Sequence, residues 1–190
     1  MSVMDDRRDK GILETIVDRE RVFDGIILHI DHLTAKLPNG KLAKREVALH
    51  VGASAVLPVD EDGYTYLVRQ YRAPIERVLL EIPAGKLDSV DEDRLLAAKR
   101  ELHEETGLMA EKWEHLADIV TTPGFSNEKI SLYLARELKR GEAAPDEGEF
   151  LNVVRMPLSE AVDAAARGEI ADSKTVCALL LAHARMGKEA

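Results

Sequence analysis

Three glutamates in the stretch Arg100-Glu101-Leu102-His103-Glu104-Glu105-Thr106-Gly107-Leu108 carry the most specific chemistry in this chain. Glu101, Glu104 and Glu105 stand at i, i+3 and i+4, the spacing that puts side chains on one face of a helix. Like charges at that spacing repel, so the run costs local stability unless a cation offsets it. Mg²⁺ prefers hard oxygen ligands and completes its shell with water and phosphate oxygens, so a rigid helix presenting converging carboxylates suits it. A solvated acidic face, with Lys99 and Arg100 as partial compensation, is the other reading of such a run. The surrounding sequence favours the first.

The element that must present these acids is a helix from Asp91 to Thr106. Asp91 stands at the cap, Leu95, Ala98 and Leu102 form an apolar stripe, and Gly107 sits at the C-terminal cap position. From about Gly25 to Tyr71 the pattern is β-like: Ile26, Leu28 and Ile30 alternate, and Leu37-Pro38-Asn39-Gly40 reads as a hairpin turn before a strand from Lys41 to Leu49. Val51 to Val59, Tyr64 to Tyr71 and Val78 to Ile82 follow as strands, with Asp62-Gly63 as a tight turn and Pro83-Ala84-Gly85 as a loop. Strands are expected again at Trp113 to Val120, Ile130 to Ala135 and Phe150 to Val154, then helices at Pro157 to Arg167 and Asp172 to Met186. Together these imply an α/β or α+β sandwich, with the section before about Leu49 as a separate β lobe.

Composition narrows the function classes. The 190 residues are 45% hydrophobic and 32% charged, which suits a globular protein able to bury a core. No run approaches the length of a membrane-spanning helix, and Met1 to Lys10 is charged rather than apolar, so a cytoplasmic protein without membrane contact is expected. A net charge of −9 argues against a nucleic-acid footprint. Cys177 is the single cysteine, which excludes an internal disulfide or a cysteine-rich zinc site, and its apolar neighbours suggest a buried thiol. The histidines show no H-E-x-x-H arrangement. An acidic protein acting on an anionic substrate needs cations between the two.

Read from Gly85, the segment G85-K-L-D-S-V-D-E92-D-R-L-L-A-A-K-R100-E-L-H-E-E-T-G-L108 resembles the Nudix box: a Gly, a Glu, then R-E-hydrophobic-x-E-E-x-G-hydrophobic. It departs in one place, since counting back from Arg100 reaches Glu92 while counting on from Gly85 reaches Asp91; a slightly longer loop is implied, and the acid that takes the place stays open. R69-Q-Y-R72, L80-E-I-P-A-G85, T122-P-G-F-S-N-E128, D146-E-G-E-F150 and G168-E-I-A-D-S-K-T-V176 extend the resemblance to the bacterial ADP-ribose pyrophosphatases. V22-F-D-G25, L37-P-N-G40 and K44-R-E-V47 do the same in the front lobe. GDP-mannose hydrolases share part of this set.

The resemblance implies a Nudix α/β/α sandwich over residues 50–190, preceded by an antiparallel β lobe over residues 1–49 that is swapped in a homodimer. It implies Mg²⁺, with Mn²⁺ as a substitute, held by Glu101, Glu104, Glu105 and the carbonyl of Ala84, with Arg100 orienting the glutamates. Glu149 on a glycine-bearing loop is the implied proton acceptor, with Glu147 as fallback. Arg72 is implied at the pyrophosphate or terminal ribose, Arg45 and Glu46 near the adenosine of the partner's site, and Glu128 at a metal or the terminal ribose. Phe23 is assigned to core packing rather than to base stacking. The activity implied is cleavage of ADP-ribose to AMP and ribose 5-phosphate. Hydrolysis of GDP-mannose or another nucleotide sugar, or binding of ADP-ribose without cleavage, are the alternatives.

Overall fold

Gly40, at φ 82°, supplies the left-handed residue that the Leu37–Gly40 turn requires, and the Gly40 N–H donates to the Leu37 carbonyl at 2.9 Å. This turn joins β2 (His29–Lys36) to β3 (Leu42–Leu49), and β1 (Thr15–Asp24) completes an antiparallel sheet in the order β1-β2-β3. The computed structural model describes residue 9, residues 11–141 and residues 150–187. Strand β1 lies ahead of the expected start of β structure at Gly25, because all ten of its residues are exposed and its charged side chains break the apolar alternation. Asp31 is buried on β2, where Arg19 donates to it at 2.8 Å and Arg21 at 2.5 Å. The chain divides into two units, and this lobe, through His50, is grouped with Thr122–Glu128. Within that unit the Ala48 N–H donates to the Phe125 carbonyl at 2.7 Å, and the His50 N–H to Asn127 Oδ1 at 2.7 Å. Phe23 is 55% exposed, so it is not a core residue.

The second unit, Val51–Thr121 with residues from Lys129 onward, contains two sheets among its described residues. One is β10-β5-β6, made of β5 (Tyr64–Arg72), β6 (Arg77–Glu81) and β10 (Leu151–Pro157). The other is β7-β4-β9-β8, made of β4 (Ala53–Pro58), β7 (Ala84–Lys86), β8 (Leu108–Val120) and β9 (Lys129–Arg140). Here β4 runs parallel to β9 and the other pairs are antiparallel. Every residue of β4 is buried, as a strand covered on both faces must be. Its alternate residues divide between two cores. Ala53, Ala55 and Leu57 pack with Leu132, Leu134, Ala178 and Leu179, while Val56 packs with Leu102 and Ala135. Helices α2 (Leu158–Ala166) and α3 (Ser173–Met186) therefore cover one face, and α1 (Arg94–Thr106) the other. The mixed sheet is the filling of an α/β/α sandwich, as the sequence leads one to expect.

Two local readings change. Pro83-Ala84-Gly85 is not simply a loop: Ala84 pairs with Ala55 and Gly85 with Ser54, making the short strand β7. Cys177 is half-buried, not buried. The apolar neighbours that suggested burial turn different sides of α3, and Leu180 is 42% exposed.

Candidate active site

The cap of helix α1 lies two residues later than the sequence suggests, at Asp93 and not Asp91, and the helix runs from Arg94. The Asp93 carboxylate accepts from the N–H groups of Leu95 and Leu96, each at 2.9 Å, and satisfies donors that the first turn leaves unpaired. Glu92 turns the other way, its Oε2 accepting from the Asp88 N–H at 2.6 Å and so closing the preceding loop. Gly107, at φ 69°, ends the helix and donates to the His103 carbonyl. Between these ends, Leu102 is fully buried against the sheet, which contributes about 1.5–3 kcal/mol and holds the helix to its support.

The face that carries the acids is less exposed than an ordinary charged face. Glu101 is 7% exposed and Glu105 only 3%. The Ala84 N–H donates to Glu105 Oε2 at 3.3 Å, which brings β7 against this helix. Arg100 Nη1 donates to Glu101 Oε1 at 2.6 Å and to Glu104 Oε2 at 3.0 Å, and Arg100 Nη2 lies 3.6 Å from Glu92 Oε1. Of the two acids open for that place in the motif, Glu92 is the one that approaches Arg100, while Asp91 is exposed. Burial works against the Arg100 charge, but the attraction of Glu101 and the hydrogen bonds of Glu104 and Glu101 outweigh it and raise the pKa above the ordinary arginine value.

These residues fit a divalent cation by donor chemistry. The set is all oxygen, two of its carboxylates are buried, and a guanidinium already bridges Glu101 and Glu104 as a cation would. Gly85 supplies the space: a Cβ built there would fall on the Glu101 carboxylate, inside contact with its carbon and both oxygens. In the arrangement observed, no three His, Cys, Asp or Glu side chains among the described residues converge as a ready metal cage. Arg100 takes up oxygens that a cation would share.

The remaining sequence-derived residues are distributed over both units. Arg72, at the end of β5, binds Glu81 through both of its forks' nitrogens on one side, Nε to Oε1 and Nη2 to Oε2, each at 2.8 Å. The Glu81 hydrogen bond raises the Arg72 pKa most strongly, burial opposes this, and the charges of Asp172 and Glu105 add to the rise. Arg45 and Glu46 are neighbours on β3; Arg45 Nη2 donates to Glu14 Oε1 at 2.6 Å, and Glu46 Oε1 lies 3.7 Å from His32 Nε2. Glu128 belongs to the first unit, its Oε1 3.6 Å from His50 Nε2. Glu147 and Glu149 lie outside the described residues.

The sequence singles out neither Glu81 nor Lys174, which the structure joins. The available signal was a lone acid within the apolar strand Val78 to Ile82. A cleft of about 410 Å³ lined by Val59, Asp60, Glu61, Lys112, Arg136 and Glu137 includes none of the acids of α1. The chemistry of the side chains, not the depth of that cleft, marks the site.

Comparison with known proteins agrees with the geometry. The Nudix domain family matches residues 48–179. A methanol dehydrogenase activator of Bacillus methanolicus is 40% identical over 168 residues, covering 87% of this chain and 90% of its own. An ADP-ribose pyrophosphatase of Bacillus subtilis (strain 168) is 39% identical over 172 residues, covering 90% and 92% respectively. A crystal structure of an ADP compounds hydrolase superposes with a TM-score of 0.82 at 26% identity, over 95% of this chain and 98% of the other. Among the described residues no helix is long and apolar enough to cross a membrane. A capped helix with buried acids facing a glycine strand, in a chain matched along most of its length by these relatives, carries the conclusion: the chain belongs to the Nudix family and is a pyrophosphohydrolase of nucleoside diphosphate compounds.

Proposed function

We propose that the chain hydrolyses ADP-ribose to AMP and ribose 5-phosphate with Mg²⁺, which Mn²⁺ can replace. The observation that carries this reading is the pair of buried carboxylates, Glu101 and Glu105, on a rigid helix against β7, in a chain 39% identical to an ADP-ribose pyrophosphatase. Glu101, Glu104, Glu105 and the Ala84 carbonyl would hold the ion. A divalent ion there neutralises phosphate charge and makes water more acidic.

The chain's own residues do the rest. Water oxygen bonds to one phosphorus as the bond from that phosphorus to the bridging oxygen breaks, and the bridging oxygen leaves with the second phosphate. The proton from water passes to a carboxylate, assigned to Glu149 with Glu147 as the alternative. Arg72 offers a guanidinium fork to pyrophosphate oxygens, a geometry suited to phosphate. Glu128 is assigned to the terminal ribose or a metal, and Arg45 and Glu46 to the adenosine end.

The assay is incubation with ADP-ribose and GDP-mannose in parallel, with products separated by chromatography. AMP and ribose 5-phosphate, formed only with Mg²⁺ and lost on adding a chelator, are expected. Preferential formation of GMP and mannose 1-phosphate would move the substrate to the nucleotide sugars and overturn the assignment of ADP-ribose.

The β lobe over residues 1–49 is proposed to join two copies into a homodimer, with Arg45 and Glu46 serving the partner's site. Its apolar side chains support this: Ile26 is 99% exposed, and Ile12, Leu13, Ile27 and Leu42 are all exposed, a concentration that marks an interface. Sedimentation at micromolar protein should show a species of twice the 21.1 kDa chain mass. A monomer under those conditions would remove the shared site.

A further inference from the structure

Glu81 is 1% exposed and Lys174 is 8% exposed, so an ion pair is buried where β6 meets the start of α3. Lys174 Nζ donates to Glu81 Oε2 and, at 3.0 Å, to Asp172 Oδ1. The backbone is tied at the same place, the Ile82 N–H donating to Thr175 Oγ1 at 2.8 Å. Asp172 caps α3 by accepting from the Thr175 N–H at 3.0 Å. Glu81 therefore meets two side-chain cations, Arg72 and Lys174.

Isolating a charge in such a place costs several kcal/mol unless its partners are well placed, so the geometry is held tightly. Burial alone would push the Glu81 carboxyl up, but the hydrogen bonds from Arg72 and the charge of Lys174 bring it below the usual carboxylate range.

The use of this pair is legible in the fork of Arg72. Its Nε and Nη2 both point to Glu81, so one edge of the planar guanidinium is fully engaged. The next edge, formed by Nη1 and the second hydrogen of Nη2, meets no protein partner among the described residues. The side chain remains 39% exposed. A guanidinium clamped along one edge and open along the next presents two parallel N–H bonds in a fixed plane, which matches two oxygens of one phosphate.

We infer that Glu81, held by Lys174, is a positioning residue that sets the plane in which Arg72 meets a substrate phosphate. The inference rests on the proposal that Arg72 binds the pyrophosphate. It gives the buried acid and lysine a use, since Glu81 binds Lys174 with one oxygen and both oxygens meet Arg72.

The test is a cycle of Arg72→Ala, Glu81→Gln and the double variant, assayed with ADP-ribose and checked for folding by thermal melting. Glu81→Gln should lower kcat/KM about 10- to 100-fold, the scale of misplacing a binding group. In the Arg72→Ala background the same change should lower it no more than about twofold, because the residue it serves is already gone. A purely structural role for Glu81 would instead make the two losses multiply, and that outcome overturns the inference while leaving Arg72 in place. Wild-type kcat/KM in Arg72→Ala removes the role of Arg72, and the inference falls with it. If Glu81→Gln does not fold, Lys174→Met takes its place in the cycle; it should lower kcat/KM about 3- to 10-fold, again only while Arg72 is present.

Discussion

Glu105→Gln should lower kcat by about 10²–10³-fold at saturating Mg²⁺, the scale of removing one electrostatic contribution from an active site, while the fold is kept. The exchange is nearly isosteric. The amide oxygen of glutamine can still accept from the Ala84 N–H, which lies 3.3 Å from Glu105 Oε2, so the tie between α1 and β7 survives. What is lost is one negative charge, buried to 3% exposure, four residues from a second buried carboxylate, Glu101. Relieving like-charge repulsion at that spacing is worth a few tenths of a kcal/mol, so the melting temperature should be unchanged or slightly raised. Loss of turnover without loss of stability separates a catalytic role from a packing role. Wild-type kcat in this variant would take Glu105 out of the proposed metal set.

Gly85→Ala should produce a loss at the lower end of that range by a different route. Gly85 does not have the left-handed φ that makes substitution costly at Gly40 or Gly107, so the objection to a side chain there is space alone. The added methyl would occupy the place of the Glu101 carboxylate. Glu101 or β7 must then move, and overpacking of this kind costs about 1–3 kcal/mol, which in a chain this long lowers the melting temperature by about 2–4 °C per kcal/mol. Activity should fall by about 10²-fold, since displacement of a reacting group by an ångström is enough for that. Adding Glu101→Asp to Gly85→Ala should restore stability by shortening the displaced side chain, yet leave activity low because the carboxylate no longer reaches its place. If Gly85→Ala alone keeps wild-type kcat, the close approach of Gly85 to Glu101 is not part of the working site.

The acidic helix and its support were legible from the sequence because each rests on a local rule. Acids at i, i+3 and i+4, the Leu102 side of the helix and the terminal Gly107 need no distant residue to be recognised. The two-sided burial of β4 is less plain, because Ser54 interrupts its apolar residues. Strand β1 was not legible, since its residues Asp18, Arg19, Glu20 and Arg21 offer no apolar face, and pairing with β2 alone makes it a strand. The Glu81 to Lys174 pair joins residues 93 positions apart, a separation at which one sequence contains no pairing signal. The same holds for Arg72: its type and place suggested an oxyanion, while the edge it keeps for that oxyanion depends on Glu81.

The position of Asp93 bears on how this motif tolerates changes in length. A helix advances about 100° per residue, with 3.6 residues to the turn. One residue inserted between Asp93 and Glu105 would therefore swing the downstream carboxylates away from β7 by more than a quarter revolution. One inserted before Asp93 changes only the length of a loop, because the cap sets the angular phase of everything after it. The extra residue that separates Gly85 from Glu92 lies on the permissive side of that boundary, and Glu92 still reaches Arg100 at 3.6 Å. Length can drift upstream of the cap, while the thirteen residues of α1 must be counted as a unit.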